Sequence, residues 1–159
     1  TMEKIDWKNL SYYDFIGFVA VTAFLLFVLY FGGLWYATYD YRIQMRDQMV
    51  EMYKQLPNPI PPIEDDYGVH QRWLVFYIDG VKVLNKPQPE NVINEYKKAL
   101  EKEGWATERE YEHVRNDKNK IYGINMRKGE FILSVSAREN RDSINIHLIK
   151  RDWIYNKGF

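Results

Sequence analysis

The sequence predicts a single-pass transmembrane α-helix plus a small α+β domain, in which one helix packs on a mostly antiparallel sheet of about four to five strands. Three features lead there. From Phe15 to Tyr39 the chain runs for 25 residues without a charged side chain. The run Pro57-Asn-Pro-Ile-Pro-Pro62 then halts any preceding helix. Beyond it, apolar and polar residues alternate as in half-buried strands, with one interruption of helical spacing.

Residues 1–14 form a short tail, and 15–39 form the expected membrane span. At about 1.5 Å per residue the span reaches roughly 37 Å, enough for a hydrocarbon core of about 30 Å. Only a helix satisfies its own backbone groups in lipid. Trp7, Tyr12 and Tyr13 on one side, and Trp35, Tyr36, Tyr39 and Tyr41 on the other, fall where interfacial aromatics belong. Gly32-Gly33 inside the span predicts a notch for close approach of another transmembrane helix. A cleavable leader has a shorter core and a small-residue exit; here the exit is Gly-Leu-Trp-Tyr-Ala-Thr-Tyr-Asp. Lys4 and Lys8 are balanced by Arg42, Arg46 and Lys54, so charge barely sets orientation. Read as an uncleaved signal anchor, the span puts the C-terminal domain on the extracytoplasmic, periplasmic side.

Residues 40–56 continue as a helical stalk. Met45, Met49, Met52 and Leu56 recur at steps of four, three and four, a narrow apolar seam. The seam either covers part of its own domain or packs against another helix, from a partner or a second copy. Residues 57–70 read as a proline-rich, semi-rigid linker.

The α+β domain spans 71–150. Trp73 to Ile78 predicts a strand, Asp79-Gly80 a hairpin turn, and Val81 to Leu84 its partner. Pro89 opens a helix running to about Glu103, with Val92, Ile93, Tyr96, Ala99 and Leu100 on one face. Gly104 caps it and Trp105 folds back on its end. Strands follow near 106–114, 121–127, 130–137 and 143–150. Their inward residues are Tyr122, Ile124 and Met126; Phe131, Leu133, Val135 and Ala137; and Ile144, Ile146 and Leu148. Residues 151–159 form an aromatic tail that includes Trp153, Ile154, Tyr155 and Phe159.

Composition narrows the functional classes. Lys plus Arg equals Asp plus Glu at 22 each, so no nucleic-acid partner is implied. With no cysteine, disulfides, thiolate metal sites and cysteine nucleophiles are excluded. His70, His113 and His147 show no metal-ligand spacing, and no catalytic or cofactor residue is expected. Glu108, Glu110 and Glu112 are expected on one strand face. Lys118, Lys120, Arg127, Lys128, Arg138, Arg141, Lys150 and Arg151 gather near turns as a candidate basic rim. Trp73, Tyr77 and Tyr122 are candidates for lining a ligand pocket on the sheet.

Tyr96-Lys-Lys-Ala-Leu-Glu-Lys-Glu-Gly-Trp105, preceded by a strand and followed by Met126-Arg-Lys-Gly-Glu-Phe-Ile-Leu-Ser-Val135, resembles a small strand, helix-Gly-Trp and antiparallel-meander module of bacterial membrane-anchored envelope proteins and lipoproteins. The resemblance covers roughly 73–150 and implies a bacterial cell-envelope setting with no assigned activity or site residues. The expectation is therefore a non-catalytic accessory or assembly subunit of a membrane complex. It would meet lipid and other transmembrane subunits, in a hetero-complex rather than a homo-oligomer. The candidate contacts are Gly32, Gly33, Met45, Met49, Met52, Leu56, Trp153, Ile154, Tyr155 and Phe159. The alternative is a membrane-anchored extracytoplasmic domain that binds or senses a ligand or peptide.

Overall fold

A computed structural model describes residues 12–72, 75–85, 88–114 and 119–151. Trp73, Lys118 and the four candidate contacts of the tail, Trp153, Ile154, Tyr155 and Phe159, lie outside the described residues. The chain divides into two compact units, Thr1–Arg42 and Ile43–Phe159.

The first unit is dominated by one long apolar helix, α1 (Tyr12–Ala37, 26 residues), of which no residue is buried. Its length is about 39 Å at the standard rise, so by length and composition it can cross a membrane. Gly32 and Gly33 have open space around the position a Cβ would take. Past the helix end, Arg42 lies 3.4 Å from the Trp35 ring centre and donates to the Trp35 carbonyl at 2.8 Å.

The second unit is a two-layer fold. Six strands, β1 (Glu64–Arg72), β2 (Val75–Val83), β3 (Ala106–Val114), β4 (Lys120–Lys128), β5 (Phe131–Arg138) and β6 (Ser143–Lys150), form one sheet in the order β1-β2-β6-β5-β4-β3. Every neighbouring pair is antiparallel. The helix α2 (Tyr39–Lys54), which begins in the first unit, brings its C-terminal part onto one sheet face. There the Tyr53 hydroxyl sits against Gly80 of β2. The helix α3 (Pro89–Lys102) covers the same face over β3, β4 and β5. Between the layers lie Met45, Met49, Tyr53 and Leu56 from the α2 region, Val92, Ile93, Tyr96 and Leu100 from α3, and Ile124, Met126, Leu133, Val135, Ala137, Ile144, Ile146 and Leu148 from β4, β5 and β6, all nearly inaccessible; Tyr122 and Phe131 are half-buried.

The cap of α3 follows its sequence. Gly104, at φ +85°, bends the chain so that its N–H bonds the Glu101 carbonyl and the Trp105 N–H bonds that of Leu100, both at 3.0 Å. This is the paired-bond glycine cap, and it delivers Trp105 into the core. The β4–β5 hairpin turns through Gly129-Glu130, with Gly129 at φ +60°.

Four expectations need correction. The sheet is larger than four to five strands, because β1 forms within the stretch expected as linker. Its sequence Glu-Asp-Asp-Tyr-Gly-Val-His-Gln-Arg is mostly polar and largely exposed, as an edge strand facing solvent can be. The stretch expected as a semi-rigid linker is also tied to β2: the Lys82 ammonium bonds the Asn58 side chain, and the Ile63 N–H bonds the Val83 carbonyl at 2.7 Å. Asp79-Gly80 is not a turn but the middle of β2, where Gly80 leaves room for the Tyr53 ring. Lastly, two helices cover the sheet rather than one. Met45, Met49 and Leu56 are buried within this chain and Met52 is half-buried, the arrangement of a helix covering its own domain.

A polar cluster fastens this layer. Lys82, 1% exposed, pairs with Asp65 at 3.1 Å, and the Tyr53 hydroxyl donates to the same carboxylate at 3.1 Å. Burial, then the Asp65 charge, raises the Tyr53 hydroxyl above its ordinary pKa of 10.0. Burial does the same to Tyr96, whose hydroxyl has no hydrogen-bond partner among the described residues.

Candidate functional site

With both helices on one face, the other face of the sheet is open among the described helices. Strand register fixes what it presents, because side chains alternate between faces. One row runs across all six strands: Gly68, Asp79, His147, Ser134, Asn125 and Arg109. The next is Asp66, Val81, Asn145, Ser136, Gly123 and Tyr111. A third places Arg138 beside Ile121 and His113. The face is polar, unlike its apolar reverse.

Two features stand on it. On the β1–β2–β6 side, His147 Nδ1 donates to Asp79 Oδ1 at 2.6 Å, and His70 Nε2 stands 3.7 Å from Asp79 Oδ2. The Tyr77 ring lies beside both imidazoles, stacked on His70 with centres 5.0 Å apart and tilted to His147 at 5.5 Å. The His70 ring leans over Gly68, where a Cβ would touch it at 2.9 Å. All three polar side chains are about half exposed, so water screens the pairs and each contributes little stability.

Asp79, His147 and Ser134 occupy adjacent strands in the order of an acid, base and nucleophile. No hydrogen bond joins Ser134 to His147 among the described residues. The backbone N–H groups of these central strands are engaged in the sheet ladder, which leaves none to stabilise an oxyanion. The contact holds the His147 imidazole in one orientation against Asp79. No group of three His, Cys, Asp or Glu side chains among the described residues is arranged to hold a metal ion.

On the β3–β4–β5 side a shallow groove of about 540 Å³ opens. Arg109, His113, Asn125, Ser134, Ser136 and Arg138 line it. The Tyr111 ring lies across Gly123, a residue without a side chain to displace it, and closes the floor. A second, smaller cavity of about 250 Å³ lies near α3, between Glu90 and Asn94 and the strand residues Glu110 and Tyr122.

Of the glutamates expected to share a face, Glu108 is set apart by a β-bulge between Thr107 and Arg109, while Glu110 and Glu112, in register with Ile124 and Tyr122, share one face. Each meets a cation of this chain: Glu108 with Arg127 at 3.6 Å, Glu110 with Lys97, and Glu112 with Lys120 at 2.8 Å. The bonds to Glu110 and Glu112 hold Lys97 and Lys120 above the ordinary lysine pKa. Much of the expected basic rim is likewise engaged, Lys128 with the Glu103 carbonyl and Lys150 with Gln48 and Glu130. Tyr77 and Tyr122 do not line one pocket: Tyr77 stands on the open face, whereas Tyr122 is in register with Ala137 on the covered one. Sequence reading passed over Arg109, set among glutamates, and the meeting of Asp79 with His147, which are 68 positions apart.

The chain matches no protein-family model and no curated protein.

Proposed function

We propose that this chain is a non-catalytic accessory or assembly subunit of a larger membrane complex, anchored by α1, with the α+β unit and the C-terminal tail meeting its partners. The observation carrying this reading is the state of α1. All 26 residues lie outside any core, and its exposed side chains include Phe24, Leu25, Leu26, Phe27, Leu29 and Tyr30. Water cannot accommodate so large an apolar surface, whereas lipid or neighbouring helices can. Arg42 against Trp35 suits an interfacial position, where a cation and an aromatic ring mark the edge of the hydrocarbon. Gly32 and Gly33 offer a neighbouring helix a close approach.

Extraction in mild detergent followed by sizing tests the assembly. Co-elution with other membrane subunits is expected, and a monodisperse monomer from native membranes would overturn it. A membrane-anchored ligand- or peptide-binding domain is the second reading, favoured by the polar groove on the open face. It predicts a ligand-dependent rise in thermal midpoint with no stable protein partner.

A further inference from the structure

We infer that the groove across β3, β4 and β5 seats an extended acidic segment of a protein partner, with Arg109 and Arg138 as its two anchoring cations. The inference rests on the subunit reading and names the surface and the chemistry of the contact. Arg109 and Arg138 line the same groove. Neither side chain has an ion pair or hydrogen bond among the described residues, although nearly every other cation on β3, β4 and β5 is matched within the chain. Glu112 also borders the groove, but Lys120 neutralises it at 2.8 Å. Among the described residues, the groove thus carries uncompensated positive charge, in a chain whose overall charge is zero.

Its dimensions select an elongated ligand. Asn125, beside Arg109, and Ile121, beside Arg138, are four residues apart on β4. That is about 13 Å along the strand, and Arg109 and Arg138 stand two strands apart, a further 9.5 Å or so. One phosphate or carboxylate reaches both guanidiniums only with both side chains stretched inward. An extended peptide, whose alternate side chains repeat every 6.6 Å or so, offers a carboxylate to each end. Ser134, Ser136 and Asn125 lie between them with both donor and acceptor atoms, suited to a backbone passing overhead. The groove is shallow and open, unlike the enclosed cavities that bury small ligands.

The test uses the full chain in a zwitterionic detergent and a fluorescent oligoglutamate peptide, with oligoglutamine of equal length as the neutral control. Anisotropy should report binding of oligoglutamate only. Affinity should fall about tenfold or more in the Arg109→Gln/Arg138→Gln variant, and steeply between about 50 and 300 mM salt. Arg141→Gln, in the turn outside the groove, should bind as the parent does. Unchanged circular dichroism and thermal midpoint establish that the double variant is folded. Equal binding by parent and double variant, or equal binding of the neutral peptide, overturns the inference. So does full displacement by inorganic phosphate at matched anionic charge, which would mark a small-anion site, and so does binding that appears only when anionic lipid is present. A monomeric chain in native membranes sinks the subunit reading itself, whereas an intact complex with no peptide binding sinks only this one.

Discussion

Gly80 shows how one side chain's absence shapes the domain. Any Cβ there would meet the Tyr53 ring and hydroxyl, and the ring cannot swing aside without giving up its bond to Asp65. Gly80→Ala should therefore cost about 1–3 kcal/mol by chemical denaturation, and Tyr53→Ala should remove most of that difference in a double variant. Tyr96 makes the opposite case. Its hydroxyl is buried without a partner among the described residues, so Tyr96→Phe should leave stability unchanged or raise it by about 1 kcal/mol. The raised hydroxyls of Tyr53 and Tyr96 also fix a pH dependence. Below their ordinary value of 10.0 both are protonated in folded and unfolded chains and contribute nothing. Above it the unfolded chain releases protons that the fold retains, so stability should fall as pH rises past about 10. Phenolate absorbance should show these two hydroxyls ionising only as the domain unfolds. Ionisation at their ordinary value with the fold intact would refute the burial argument.

Among the elements, α2 and β1 hold the least obvious part of the structure. Lys82 is almost fully buried and depends on Asp65, a residue of the polar edge strand. Asp65→Ala should cost about 3 kcal/mol by stranding that charge, whereas replacing Lys82 and Asp65 together by Met and Leu should cost far less. Equal losses in both variants would show that the pair matters only as packing. The same elements mark the limit of what the sequence discloses. Helix α3 and strands β3 to β6 were legible because each carries its own signal: Pro89 and Gly104 bracket the helix, and Leu133, Val135 and Ala137 alternate to face a single core. Strand β1 carries no apolar alternation and owes its pairing to β2. Asp79-Gly80 has the composition of a turn, yet lies mid-strand because a residue of α2 needs the space. The open face was legible only in part. Asn145 and His147 alternate with the inward Ile144, Ile146 and Leu148 and so face outward, but the approach of His70 and Asp79 and the isolation of Arg109 depend on strand order, which no local pattern records.

Taken whole, the chain joins an uncovered apolar helix to a two-layer domain that presents a polar sheet face. The membrane reading stands or falls with α1. The most direct measurement is flotation of the full chain with lipid vesicles on a density gradient, after a high-salt wash and without detergent. Flotation with the lipid is expected, together with loss of flotation when Leu25 and Leu29 are both replaced by Arg, since two charges near the middle of the span oppose insertion. A parent chain that remains monomeric and soluble in the dense aqueous fraction would contradict the anchor and the subunit role built on it.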